Sequence, residues 1–182
     1  MPLIAVHAGG EPVLELGCGG GRDTATLVEA GHRVIAVELS ADAVERAKER
    51  VPSADFHCQD IRAPFPIGDG RAGVVIASLS LHYFSWPETC LLVERVRRVL
   101  HPAGVLLCRL NSTNDHHFGA SGHPEIEKDF YLVDGAPKRF FDRAAVDRLF
   151  SPGWRAISIE EKVIDRYDDP KAVWEVILAR DD

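Results

Sequence analysis

Val13-Leu-Glu-Leu-Gly-Cys-Gly-Gly-Gly-Arg22 is a short apolar strand that runs into a glycine-rich turn and then into a helix. Glycines at 17, 19 and 21 let the backbone take positive φ and approach a ligand closely, and they leave amides at the next helix N-terminus to donate hydrogen bonds. This is the form of a nucleotide-cofactor turn. The dinucleotide pattern G-x-G-x-x-G would place its third glycine at position 22, where the chain has Arg22, and Glu15 sets a carboxylate just ahead of the turn. A pyrophosphate would be repelled there. A cationic or zwitterionic ligand fits better, because Glu15 can face an ammonium while amides of the turn or Arg22 meet a carboxylate.

Outward from the turn, short β-rich runs alternate with helical periods, which predicts an α/β domain with a parallel sheet covered on both faces. The first strand, Val13–Leu16, leads to a helix over roughly Arg22–Ala30, closed by Gly31. A second strand, Arg33–Val37, ends at Glu38, and Ser40 caps a helix that runs to about Arg50 and stops at Pro52. Ala54–Cys58 reads as the third strand, and Ile61–Arg71, with two prolines and two glycines, as a loop in place of a crossover helix. Ala72–Ser78 is a central strand. Ser85-Trp-Pro-Glu88 has capping-box spacing and opens a helix to about Leu100 that buries Leu92, Val96 and Val99. His101-Pro-Ala-Gly104 turns the chain into a fifth strand, Val105–Leu110. Asn111–Phe141 has little periodicity and many polar and aromatic groups, so it reads as a long functional loop. After a helix over Asp142–Phe150, two runs, Arg155–Val163 and Ala172–Arg180, separated by Asp168-Asp-Pro170, look like an antiparallel pair at the sheet edge.

From Val13 to the last strand the chain resembles the class I S-adenosylmethionine-dependent methyltransferases. Within them, the Gly-Cys-Gly-Gly-Gly-Arg turn, the short N-terminus and Phe140–Trp154 are most similar to small-molecule methyltransferases of the tellurite-resistance type. The resemblance implies a Rossmann-like, mostly parallel seven-stranded sheet with helices on both faces and an antiparallel last strand, in a single domain over residues 1–182. It implies S-adenosyl-L-methionine as cofactor and S-adenosyl-L-homocysteine as product. Gly17, Cys18, Gly19 and Leu39 would line the cofactor, Ser78 and Leu79 would touch its methionine arm, and His82 or Tyr83 would face the methyl acceptor.

Two acidic positions support this cofactor on their own chemistry. Glu38, at the tip of the second strand and 21 residues after Gly17, can accept both ribose hydroxyls of a nucleoside laid across the sheet's switch point. Asp60 can accept an adenine amino group, with Ile61 beside it to donate a backbone amide and pack on the ring. His82 is a general-base candidate, since its ordinary pKa lies near neutrality, although a structural histidine at a helix start is the more common explanation.

The segment after the fifth strand supplies acceptor-pocket candidates: Asn111, His116, Tyr131 and Arg139. A metal site built from Asp115, His116, His117 and His123 is not expected, because adjacent histidines rarely ligate one ion together. Lys138-Arg139 could favour an anionic acceptor or form a solvated basic pair beside Phe140 and Phe141. Met1–Gly10 is too short for much of a lid over the cofactor.

The length, 182 residues, suits one well-buried domain. A net charge of −7 with interleaved signs argues against a nucleic-acid partner. Four cysteines without a C-x-x-C pair read as reduced thiols, and with no leader and no membrane-spanning run the expectation is a cytoplasmic protein outside the membrane. Oligomeric state is left open. Two other functions compete: a nicotinamide-dependent oxidoreductase, against which Arg22, Glu15 and Asp60 count, and a protein that binds the cofactor without catalysis.

Overall fold

The computed structural model describes residues 2–151, 153–165 and 169–181, so Asp168 of the expected final turn lies outside the described residues. In chain order the elements of the main layer are α1 (Pro2–Ala8), β1 (Val13–Leu16), α2 (Arg22–Glu29), β2 (Val34–Glu38), α3 (Ala41–Arg50), β3 (Asp55–Cys58) and β4 (Ala72–Ser78). They continue with α4 (Trp86–Val99), β5 (Leu100–Asn111), α5 (Arg143–Leu149), β9 (Trp154–Ile164) and β10 (Lys171–Arg180). The strands form one seven-stranded sheet in the order β3-β2-β1-β4-β5-β10-β9. β1 to β5 are mutually parallel, and β10 runs antiparallel between β5 and β9.

Alternation along the strands divides the core. Leu14 and Leu16 of β1 join Leu92, Val96 and Val146 of α4 and α5 on one face, whereas Val13 joins Ile4, Ala8 and Leu27 of α1 and α2 on the other. Helix starts follow local chemistry. Ser40 Oγ accepts the Ala43 N–H at 3.3 Å, and the Glu88 carboxylate accepts the Ser85 N–H at 3.0 Å and its hydroxyl at 2.7 Å. Ile61–Arg71 carries no helix.

Two expectations need correction. Asn111–Phe141 is not a structureless loop: β6 (Glu125–Glu127), β7 (Phe130–Val133) and β8 (Ala136–Arg139) form a separate three-stranded antiparallel sheet. Its strands are only three or four residues long and one contains Pro137, so no alternation stands out from the sequence. The short helix α1 packs on the sheet: a Cβ at Gly73 would sit 2.3 Å from the Ala8 carbonyl oxygen, so a glycine is needed for α1 to lie there. Finally, β5 starts at Leu100, not Val105. His101-Pro-Ala-Gly104 is an irregularity within the strand, which pairs Ala72 with Leu100 and then Val74 with Val105.

Candidate cofactor and acceptor site

Gly17, Gly19 and Gly21 all have positive φ, at 77, 53 and 73°. At two of them a side chain is also sterically excluded, since a Cβ would lie 2.7 Å from Ser80 Cβ at Gly17 and 3.0 Å from Ala47 Cβ at Gly21. The amides of Gly17, Cys18 and Gly21 shape the turn itself. Gly17 and Cys18 donate to the Val37 carbonyl at 2.8 and 3.1 Å, and Gly21 donates to that of Cys18 at 3.0 Å. Arg50 closes the outer side by donating to the Gly20 carbonyl.

Glu38 ties the turn to the end of β2. Its two carboxylate oxygens accept the Gly19 N–H at 3.0 Å and the Ser40 N–H at 2.9 Å. Glu15 lies buried in β1 and accepts the Thr24 hydroxyl at 2.5 Å. Burial pushes its carboxyl up to about 7, the hydrogen bond from Thr24 opposes that, and nearby Asp23 adds to it. The Cys18 thiol is pushed up to about 12, mainly by its own burial and then by the charges of Glu15 and Glu38.

Two cavities open along the carboxyl ends of β1, β2 and β4 and share Gly17 and Leu79. The first, about 720 Å³, takes in Glu38, Leu39, Asp60 and Ile61. The second, about 680 Å³, takes in Cys18, Gly19, Arg22 and Ser78, with Arg46, Arg50 and Arg109 around it. Of the expected cofactor residues, only Glu15 lines neither. Leu79, between the two, has φ of 56°, a strained conformation for a leucine, and its N–H donates to the Arg109 carbonyl at 3.0 Å. The buried Ser80 Oγ, on the first cavity, has no partner among the described residues. A crevice with an unsatisfied hydroxyl and close backbone approach at Gly17 suits a polar ligand that spans both spaces.

Asp60 is engaged from within the chain. Arg62 donates to both of its carboxylate oxygens, from Nε at 3.0 and 3.1 Å and from Nη2 at 2.6 Å, and reaches Glu88 at 3.1 Å. These bonds hold the Asp60 carboxyl below its usual range.

The acceptor-side candidates divide. Tyr83 lines the first cavity, but His82 is 4% exposed, its Nδ1 lacks a partner among the described residues, and its pKa is pushed down to about 3 by burial and by the positive Lys171 and Lys138. Asn111, His116, Tyr131 and Arg139 line neither cavity. Asn111 is buried, with Nδ2 on the Arg139 carbonyl at 3.4 Å, His116 sits exposed on a 3-10 turn, and Tyr131 packs near Phe140. Arg139 is a structural clip. Its buried guanidinium pairs with Glu127, donates to the carbonyls of Phe84 and Lys128 at 3.1 and 3.3 Å, and lies 4.7 Å from the Phe130 ring centre. Glu127 in turn accepts the first amide of α4, from Trp86, at 2.7 Å. The small sheet is thereby fastened to the start of α4, and through it Phe130 and Pro137 reach the first cavity. Arg139→Met is expected to destabilise the protein by about 2 kcal/mol, a midpoint fall of about 4–8 °C in thermal unfolding. An unchanged midpoint would remove the clip.

Sequence reasoning missed Arg62, Phe84, Glu88 and Pro137, which all line the first cavity. Glu88 was visible only as a capping residue. Pro137 depends on the unforeseen strands.

Among known proteins, residues 13–104 match the methyltransferase domain family. An uncharacterized methyltransferase of Synechocystis sp. is 35% identical over 96 residues, 53% of this chain and 45% of that protein. A trans-aconitate 2-methyltransferase of Paracidovorax citrulli is 34% identical over 100 residues, 54% of this chain and 38% of that one. The chain spans less than half the length of these curated relatives. In structure, a SAM-dependent methyltransferase of Methanosarcina mazei superposes with a TM-score of 0.84 at 16% identity, covering 100% of this chain and 98% of that one. A 1,6-didemethyltoxoflavin-N1-methyltransferase of Burkholderia thailandensis, with 1,6-didemethyltoxoflavin and S-adenosylhomocysteine bound, superposes at 0.70 with 21% identity, covering 100% and 77%.

Proposed function

This chain belongs to the class I S-adenosylmethionine-dependent methyltransferases, and from that premise we propose that it catalyses methyl transfer from S-adenosyl-L-methionine to a small-molecule acceptor. The observation that carries the proposal is the pair of cavities meeting at Gly17 and Leu79, with acidic groups on one side and Arg22 on the other. In this reading Glu38 accepts the ribose hydroxyls, Asp60 the adenine amino group, and Ile61 and Leu39 flank the ring. Ser78 and Leu79 support the methionine arm, Arg22 meets its carboxylate, and Glu15 balances its positive charge from beneath the turn. When bound, the cofactor supplies a sulfonium methyl group: the acceptor's lone pair forms the bond to the methyl carbon while the carbon–sulfur bond breaks and its electron pair stays on sulfur.

The chain's own contribution is alignment and exclusion of water. Orientation of this kind lowers a barrier by about 7–11 kcal/mol when the reactants are held in near-attack geometry. His82, buried and pushed down to about 3, is a poor base at neutral pH. The carboxyls of Asp60 and Glu88 on the cavity wall are held below their usual range by Arg62 and Ser85, respectively. An acceptor atom that brings an available lone pair, such as a thiolate or a ring nitrogen, suits this wall. That same lack of a near-neutral base supports a second reading, a protein that binds the cofactor without turnover.

A relative named for trans-aconitate and a structural neighbour with 1,6-didemethyltoxoflavin bound support a small acceptor. The net charge of −7 supports a function without nucleic acid. Four unpaired cysteines support a cytoplasmic location, and no described helix is long and apolar enough to cross a membrane.

The test is thermal unfolding with S-adenosylhomocysteine, S-adenosylmethionine and NAD in parallel. A ligand at a hundred times its dissociation constant adds about 2.7 kcal/mol, a rise of about 5–10 °C for a domain of this size. The expected result is a rise with both adenosyl ligands and none with NAD. A rise with NAD alone would overturn the proposal.

A further inference from the structure

Ser80 follows the strained Leu79 and is pressed against the glycine turn. A Cβ placed on Gly17 would lie 2.7 Å from Ser80 Cβ and 3.6 Å from Ser80 Oγ, so the hydroxyl sits beside the Gly17 backbone, which the two cavities share. The residue is 7% exposed and lines the first cavity. Among the described residues, its Oγ is the one buried side-chain atom that lacks a hydrogen-bond partner and belongs to a residue lining either cavity.

The carboxylates of the first cavity are engaged within the chain. Glu38 accepts the amides of Gly19 and Ser40, Asp60 pairs with Arg62, and Glu88 accepts the Ser85 amide and hydroxyl. Ser80 stands apart from them. A buried hydroxyl without a partner costs the folded chain stability, and a ligand that supplies the partner removes that cost. Position decides which part of a ligand this is. In the cofactor reading adenosine fills the first cavity and the methionine arm the second, so the sulfonium that joins them passes Gly17 and Leu79. Carbon–hydrogen bonds beside a sulfonium are polarised by its charge, and a hydroxyl oxygen offers them lone pairs. A serine reaches three staggered positions by rotation about one bond, so the oxygen can turn from the Gly17 backbone to the ligand without backbone movement.

We propose that Ser80 is a direct contact of the methyl donor, its hydroxyl oxygen accepting the polarised C–H groups around the sulfonium where the two cavities meet. The proposal rests on the methyltransferase reading and adds to it a residue that tells the charged donor from its neutral-sulfur product. Glu15 acts on the donor's charge from beneath the turn, whereas Ser80 acts by touching it. Once the methyl group has left, the sulfur is uncharged and the contact weakens, which favours exchange of product for donor.

The experiment compares the full chain with Ser80→Ala, a change of one atom, by thermal unfolding and by calorimetric titration with S-adenosylmethionine and S-adenosylhomocysteine. The ligand-free variant should unfold at least about 2 °C higher than wild type, because an unpaired buried hydroxyl has gone. Its affinity for S-adenosylmethionine should nevertheless fall by about two- to fivefold, while that for S-adenosylhomocysteine changes by less than about 1.5-fold. A variant that is more stable yet binds the charged donor less well is not what a purely structural serine would give. An unchanged or lower midpoint for the free variant would mean that the hydroxyl is already satisfied within the fold, and overturns the proposal. Equal changes for the two ligands, or no change for either, also overturn it while leaving the cofactor reading intact. Failure of wild type to bind either adenosyl ligand overturns both.

Discussion

Glu15→Gln is expected to raise the unfolding midpoint of the ligand-free protein at pH 8 by about 6–12 °C. The reason is the buried environment in β1. Glu15 is 4% exposed, its neighbours are the Thr24 hydroxyl and the charge of Asp23, and its carboxyl is pushed from an ordinary 4.5 up to about 7. As pH rises through 4.5 the unfolded chain releases this proton while the native protein keeps it until about 7. The native state then binds more protons than the unfolded one, so stability falls with pH across that window and levels off above it. The full difference is about 3 kcal/mol. Glutamine accepts the same Thr24 hydrogen bond and carries no charge, so the variant should match wild type near pH 4 and exceed it increasingly up to pH 8. A buried acid that destabilises the free protein has a use if a positive ligand group offsets its charge. The affinity for S-adenosylhomocysteine, whose ammonium is cationic, should accordingly weaken as pH falls below about 7 in wild type and lose that dependence in Glu15→Gln. Equal unfolding midpoints for the two proteins at pH 8 would contradict the burial argument. A retained pH dependence of affinity in the variant would contradict the ligand role.

Glu38→Ala is expected to weaken S-adenosylhomocysteine binding by about a hundredfold, or ~2.7 kcal/mol. Part of that loss would come from the turn, since the Gly19 and Ser40 amides both lose their acceptor. The direct part is separable with the 2′-deoxyribose analogue of S-adenosylhomocysteine. If Glu38 holds the ribose, removal of the hydroxyl weakens binding to wild type and leaves binding to Glu38→Ala unchanged, the coupling expected of groups in contact. Equal losses in both proteins would assign Glu38 to the turn alone.

Much of this arrangement was legible in the sequence because the relevant residues act through local backbone geometry. The apolar runs of β1, β2 and β4 and the capping groups at Ser40 and Ser85 marked the parallel core and its helix starts. Gly17, Gly19 and Gly21 marked a turn whose φ values no other residue adopts easily. Six expected positions, from Gly17 to Leu79, line the first cavity, because strand ends bring them there once the order of the strands is set. What stayed hidden depends on tertiary pairing. The three short strands of the small sheet are held by their partners and by the Arg139–Glu127 clip, so residues 111–141 carried no periodic signal of their own. His82 and Tyr83 are adjacent and both suited to chemistry on paper, yet the 3-10 turn buries the first and exposes the second. The strain at Leu79 is equally invisible, since leucine gives no warning of a positive φ.

The crystal structure of the complex with S-adenosylhomocysteine is the decisive measurement. The expected density crosses from one cavity to the other at Gly17 and Leu79, with the ribose hydroxyls on Glu38, the adenine amino group on Asp60 and the carboxylate toward Arg22. Ligand bound away from the glycine turn, or lying along it with Glu38 and Asp60 still bonded only within the chain, would contradict the assignment of this crevice as the cofactor site.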